Sequence, residues 1–268
     1  MWGILSKFEK AHRTLGRLSL GERLLLAVSY NPTKVGAIES YDRPTAQWTV
    51  DTALETLRWS FFNLDDLIVG KRVLDYGSGD GFQSVALAQA GADFVLGVEI
   101  DPKRLKHARR LATSTIEDNL DFNAHIEGKF DVAISLNSME HFVEPEKNLQ
   151  EIRDALVEGG KLLLSFGPPW WAPYGSHMYF FCPIPWINLV FSERTVMRVR
   201  SLYRADGLST YSPELNQMSI RKFECLIEQS GFQVDRRKYH CVKGLNVLSK
   251  VPVLRELFIN QVDVTLSR

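Results

Sequence analysis

The sequence predicts an α/β fold built on a doubly wound, mostly parallel sheet, and three observations carry that reading. Between Lys71 and Gly167, short β-branched runs alternate with charged helical stretches, the pattern of βαβ units. The first run, Val73-Leu74-Asp75, leads into the glycine-rich turn Gly77-Ser78-Gly79-Asp80-Gly81, and an Ala-rich helix follows. Of 268 residues, 45% are hydrophobic and 24% charged, enough apolar chain for a large core and too much for disorder to dominate.

Each element follows in order. Residues 1–70 read as an N-terminal helical extension in which Leu15, Leu18, Leu24, Leu25 and Leu26 offer a partial apolar face. Asn31-Pro32 interrupts it, and a helix from Ala53 to Phe61 leads into the first strand. The core, 71–167, has strands at Arg72 to Asp75, Phe94 to Ile100, Phe130 to Leu136 and Lys161 to Phe166. Helices run from Gln83 to Ala90, from Pro102 through Leu111, and from Pro145 to Leu156, the last closed by Gly159-Gly160. The alternation requires a further strand near Leu120 to Ile126. Residues 168–213 form an insertion rich in proline and aromatics. Residues 214–268 return to the sheet, with a helix from Ser219 to Gln229, a strand starting at Gly231 to Asp235 and a last strand from Asn260 to Leu266. The chain, 1–268, is read as a single domain.

Charge and cysteine content narrow the function classes. Lys plus Arg and Asp plus Glu both number 32, so no net field draws the chain to a polyphosphate, and no nucleic-acid partner is expected. Cys182, Cys225 and Cys241 are odd in number and contain no C-x-x-C pair, which argues against a disulfide framework and for a cytoplasmic location. The N-terminus becomes charged at Lys7, too early for a secretion signal, and no apolar run approaches the ~18 residues of a membrane span.

The glycine turn is the most informative stretch. A dinucleotide site requires glycine or alanine at position 82, where Phe82 stands, and the third glycine, Gly81, comes one residue early. Asp75 sits where a pyrophosphate is repelled and an ammonium group is welcome. Twenty-two residues after Gly77, Glu99 ends an apolar strand, where a carboxylate accepts hydrogen bonds from both hydroxyls of a ribose. A ribose, an ammonium and no phosphate together point to S-adenosylmethionine.

Val73-Leu-Asp-x-Gly-x-Gly-x-Gly81 with Glu99 resembles the cofactor site of class I S-adenosylmethionine-dependent methyltransferases. Phe130 to Ser135, then Met139-Glu140-His141-Phe142, then Leu156-x-x-Gly-Gly-Lys-Leu-Leu163 are similar in order and spacing to the type 11 small-molecule subgroup. The resemblance is strong over residues 48–167 and weak over 214–268. It implies a Rossmann-like, seven-stranded sheet with its last strand antiparallel, and S-adenosyl-L-methionine as methyl donor. It further implies that Asp75, Gly77, Ser78, Gly79 and Gly81 line the amino-acid end of the donor, that Glu99 holds the ribose, that Ile100 packs on the adenine, and that Asn137 faces the sulfonium. The polar residue beside the adenine is one of Asp118, Asn119, Asp121 and Asn123.

His141, just after the fourth strand, is the first candidate for a general base, followed by His177 and Tyr174 in the insertion. Some quinone-pathway O-methyltransferases of this fold have carboxylates and a histidine that bind magnesium where Asn137, Glu140 and His141 stand; Asn137 removes one anionic ligand, so no metal is expected. Trp170, Trp171 and the aromatics after them suit a lid or acceptor pocket, a packed core or dimer contact, or a shallow membrane contact through residues 179–191. Arg194, Arg198, Arg200 and Arg204 then read as a membrane-facing or solvated helix face. The expected acceptor is small or lipid-like. Two rivals are a non-catalytic nucleotide-binding protein and an oxidoreductase on a related sheet, the second disfavoured by Phe82.

Overall fold

The computed structural model describes residues 2–32, 49–115, 118–212 and 214–268. Helices α1 (Trp2–Leu15) and α2 (Leu20–Val28) come first, followed by α3 (Val50–Ser60) and α4 (Leu64–Ile68). The α/β alternation then runs β1 (Arg72–Tyr76), α5 (Phe82–Gln89), β2 (Phe94–Val98), α6 (Pro102–Thr115), β3 (Leu120–Asn123), β4 (Phe130–Leu136), α7 (Pro145–Ala155) and β5 (Leu156–Phe166). After two helices in the aromatic segment, α8 (Ile187–Val190) and α9 (Glu193–Arg200), come α10 (Ile220–Gln229), β6 (Gln233–Cys241), α11 (Pro252–Phe258) and β7 (Ile259–Ser267).

The seven strands form one sheet in the order β3-β2-β1-β4-β5-β7-β6. β1 pairs parallel with β2 and β4, and β7 pairs antiparallel with β5, Ser165 opposite Asp263. Strands covered on both faces read as continuous apolar runs, which is why Val73, Leu74, Val132, Ala133 and Ile134 follow one another without polar breaks. Leu57 of α3, Leu64 and Ile68 of α4 and Phe61 between them pack on Val73, Val95, Val132, Ile134 and Leu163. β2 contains Gly97 because a Cβ there would stand 2.4 Å from the Phe122 ring and 2.8 Å from Ser84 Oγ. β3 stops at Asn123, short of the expected Ile126.

One boundary is corrected. Gly159-Gly160 does not close α7, which ends at Ala155; both glycines lie inside β5. There the pairing with β4 shifts register between Phe130 and Val132. Gly159 has φ +73°, and a Cβ on Gly160 would meet the Val157 carbonyl at 2.9 Å, so the pair serves an irregular strand rather than a helix cap.

Contacts divide the described chain into two compact units. One holds the sheet with α3 to α7 and α10 (residues 49–115, 118–167, 221–240 and 261–268). The other joins α1 and α2 to residues 168–212, 214–220 and 241–260. In that second unit Leu25 and Leu26 of α2 share a core with Trp170, Phe181, Val199 and Tyr203. Ser19 starts α2 with a reciprocal capping box to Glu22. Packed core therefore accounts for Trp170, which is 7% exposed and meets Tyr211 edge to face at 4.8 Å, but not for Trp171, which is 38% exposed. The arginine reading is corrected too: Arg200 is fully buried, forked onto Asp206 at 2.7 Å through both amino groups and reaching Glu214 at 3.1 Å. Arg198 pairs with Glu22 at 3.0 Å.

These environments separate two adjacent tryptophans. Trp170→Ala is expected to cost about 3–5 kcal/mol of stability, as truncation of a core aromatic does, and Trp171→Ala less than about 1 kcal/mol. Thermal and chemical denaturation of the two variants measures the difference; equal losses would contradict it.

Candidate functional site

The turn between β1 and α5 is built from three glycines in left-handed backbone conformations, Gly77 at φ +82°, Gly79 at +56° and Gly81 at +89°. Two of them are also spatially obligatory. A Cβ at Gly77 would stand 2.5 Å from Ser138 Oγ, and one at Gly81 would stand 2.8 Å from both Ala108 and Phe122. Gly79 differs, because its missing side chain would meet only an arginine amino group, Arg104 Nη1, at 3.5 Å. The backbone is thus bare on the side of Gly79 and packed at its neighbours. The N–H groups of Gly77 and Ser78 both donate to the Val98 carbonyl at 2.9 Å, which lays the turn across the end of β2.

Two carboxylates flank the turn. Glu99 accepts the Gly79 N–H at 3.0 Å on one oxygen and the Asp101 N–H at 2.8 Å on the other. Asp101 in turn accepts the N–H groups of Lys103 and Arg104 at the start of α6. Asp75 is buried, accepting from Gln83 Nε2 at 2.6 Å and Ser84 Oγ at 2.5 Å. Burial pushes its carboxyl up to about 7; the two hydrogen bonds oppose that rise and the charge of Glu99 adds to it.

Other residues singled out in the sequence occupy distinct environments. Ile100, next to Glu99, is 83% exposed, unusual for an isoleucine following a buried strand. Ser78 Oγ is buried with no hydrogen-bond partner among the described residues. Asn137 is exposed, with φ +53°, and its N–H donates to the Ser165 carbonyl at 2.8 Å. Asn119 turns into the fold, Nδ2 donating to the Ala92 carbonyl at 2.7 Å, while Asp121 is exposed. The short 3₁₀ turn Met139–His141 leaves His141 exposed and buries Glu140, whose carboxyl is held above its ordinary range by that burial, opposed by His141 and two backbone N–H groups. His177 and Tyr174 belong to the other unit, where the Tyr174 hydroxyl donates to the Pro183 carbonyl at 3.2 Å.

Several contributors have weak sequence signals. Tyr76 donates to Glu151 at 2.6 Å and accepts from Asn148 at 2.8 Å, tying the end of β1 to α7. Ser138 stands against Gly77. Asp263, buried, accepts from Ser165 Oγ at 2.7 Å, Gln261 Nε2 at 2.9 Å and His240 Nε2 at 2.5 Å. The only hint of that cluster in the sequence is a lone aspartate between Val262 and Val264.

Comparison with known proteins bears on the family and the fold. Residues 74–164 match the family model described as a methyltransferase domain. An uncharacterized methyltransferase of Mycobacteroides abscessus is 32% identical over 208 residues, covering 74% of this chain and 76% of the relative. A tRNA U34 carboxymethyltransferase of Pseudomonas putida is 34% identical over 117 residues, 40% of this chain; the match spans 36% of that relative's length. Among solved structures, an S-adenosylmethionine-dependent methyltransferase from Mesorhizobium loti superposes with a TM-score of 0.53 at 20% identity, over 82% of this chain and 100% of that one, a likeness of fold. With a tRNA-modifying relative among the matches, the expectation of no nucleic-acid partner is not supported. No helix among the described residues is long and apolar enough to cross a membrane.

The Asp75 environment generates a pH prediction. Its folded-state pKa of about 7 lies above its unfolded value near 3.8, so its contribution to stability is fullest below the unfolded value and is lost as pH rises through 7. Between pH ~5.5 and ~8 the wild type should lose about 2 kcal/mol relative to Asp75→Asn, which cannot ionise. Urea unfolding of both proteins at the two pH values tests this, and parallel pH dependence would refute it.

Proposed function

This chain belongs to the methyltransferase family, and we propose that it transfers the methyl group of S-adenosyl-L-methionine to a nucleophilic acceptor. The observation that carries the reading is the pair of carboxylates, Asp75 and Glu99, around a turn whose backbone is bare at Gly79. Phosphates are repelled by two acids at a glycine turn, whereas a sulfonium amino acid joined to a ribose suits both. The residues fit such a donor on three further counts: Ser78 Oγ, buried with no hydrogen-bond partner among the described residues, the solvent-facing Ile100 and the exposed Asn137.

In this reading Glu99 uses its remaining lone pairs for the ribose hydroxyls while its backbone hydrogen bonds hold the carboxylate in place. Asp75 supplies negative charge beneath the amino-acid end, Ile100 covers one face of the adenine, and Asn137 closes the site after β4. The donor, once bound, supplies an already activated methyl, so the chain contributes alignment of the nucleophile and exclusion of water. His141 is exposed on the turn after β4 and is assigned as the base where the acceptor must lose a proton. The acceptor class extends from small or lipid-like molecules to RNA, because the neutral net charge that favoured the former does not outweigh the tRNA-modifying relative.

Titration calorimetry tests the donor. S-adenosylmethionine and S-adenosylhomocysteine should bind and NAD should not, and Glu99→Ala should weaken either sulfur nucleoside by about 1.5–3 kcal/mol. Unchanged affinity in that variant would remove the ribose role. A second expectation concerns metal: with Asn137 in place of an anionic ligand, methyl transfer to an identified acceptor should proceed at full rate in EDTA. Loss of turnover restored by magnesium would instead make Glu140 and His141 ligands.

A further inference from the structure

β6 is an edge strand of the sheet, and its two faces differ in how their charges are used. On one face Asp235 is neutralised by Lys161 at 2.7 Å, and Arg237 by Glu224 at 3.3 Å, with Tyr239 also donating to Glu224. On the other face, at the two-residue period of a strand, stand Val234, Arg236, Lys238 and His240. Arg236 and Lys238 have no carboxylate partner among the described residues. Each lies over an aromatic ring instead, Arg236 over Phe62 at 5.2 Å and Lys238 over Trp59 at 5.3 Å. His240 stacks on Trp59 at 4.4 Å and is itself held by Asp263.

Both rings are largely in solvent, Trp59 at 56% and Phe62 at 70% exposure. Bare cations on an edge strand protect a sheet from pairing with another, and that purpose explains Arg236 and Lys238. It does not explain two large aromatics left exposed among them. A membrane surface calls for a continuous apolar band, which this alternation of cation and ring lacks. Cations at strand spacing interleaved with exposed rings are what a single-stranded polynucleotide requires: positive groups that follow its phosphates, and flat surfaces on which bases stack. A net charge of zero is a total and says nothing of how charges are arranged on one strand face.

We propose that the face of β6 carrying Arg236, Lys238 and His240, together with Trp59 and Phe62, binds single-stranded RNA or DNA. The surface stands independently of the donor site and holds whether or not the nucleic acid is the methyl acceptor. The test is fluorescence anisotropy of labelled oligouridylate and, separately, oligodeoxythymidylate, titrated with the full chain at low salt. Binding to the wild type is expected, and the two probes separate RNA from DNA as the preferred ligand.

Arg236→Ala/Lys238→Ala should weaken binding about tenfold and reduce the slope of log affinity against log salt by ~1.4, two phosphate contacts' worth for a single strand. Trp59→Ala should weaken it about tenfold with the salt slope unchanged, since a stacked base is lost rather than a phosphate contact. Arg13→Ala/Arg194→Ala removes the same charge from exposed sites on the other unit and should change affinity by less than about twofold. Every variant should melt like the wild type and bind S-adenosylhomocysteine equally, which keeps a failure of the donor reading distinct. Absence of oligonucleotide binding, binding indifferent to both the cation and tryptophan variants, or capture by phosphatidylserine vesicles in place of oligonucleotide would each overturn the proposal.

Discussion

One carboxylate, Glu99, governs the local architecture of the candidate site. Its two oxygens hold the N–H groups of Gly79 and Asp101, so a single side chain at the end of β2 fixes both the glycine turn and the entrance to α6. The turn can accept that grip only because Gly77, Gly79 and Gly81 adopt conformations that a side chain resists. The surrounding packing reinforces it: Phe122 of β3 fills the space left by both Gly81 and Gly97, so the glycine turn, β2 and β3 close on one ring. Substituting either glycine would displace that ring as well as the backbone.

The features legible in the sequence were those encoded locally. A strand that must be apolar on both faces, a turn that demands positive φ and a helix start that tolerates proline each leave a mark within a few residues, and β1, α5, β2, α6 and β4 fall close to their expected spans. Gly159-Gly160 misled because glycine is equally suited to a helix end and to an irregular strand, and the choice depended on register with β4. Arg200 misled for a related reason. A run of arginines on a short helix reads as a solvated face until Asp206 and Glu214, placed by the fold, supply the partners that allow one of them to be buried. The cluster around Asp263 was illegible because its members come from β5, β6 and β7, far apart in the chain.

Charge was legible only as a sum. Equal numbers of acids and bases describe a neutral chain, yet neutrality can arise from pairing or from separation. β6 contains both arrangements on opposite faces, with Asp235 and Arg237 in ion pairs on one, and on the other Arg236 and Lys238 over aromatic rings without a carboxylate partner among the described residues. A strand permits this because adjacent residues point to opposite sides, so four consecutive charged residues, Asp235 to Lys238, are sorted by position alone. The segregation needs no surplus of basic residues, and global composition is blind to it.

The same distinction between a total and its arrangement applies to the two acids at the glycine turn. Asp75 and Glu99 are close enough for the charge of one to raise the proton affinity of the other, and burial raises Asp75 further. A carboxyl with a pKa of about 7 is partly protonated at neutral pH. On the donor reading, a positive ammonium or sulfonium brought near it favours the ionised form, so binding of the donor and release of a proton are linked. A phosphate in the same place has the opposite effect, adding a third negative charge and driving Asp75 toward its neutral acid. On that reading, selection of a cationic nucleoside over a dinucleotide would follow from the charge the turn already holds, which the hydrogen bonds from Ser84 and Gln83 keep in place.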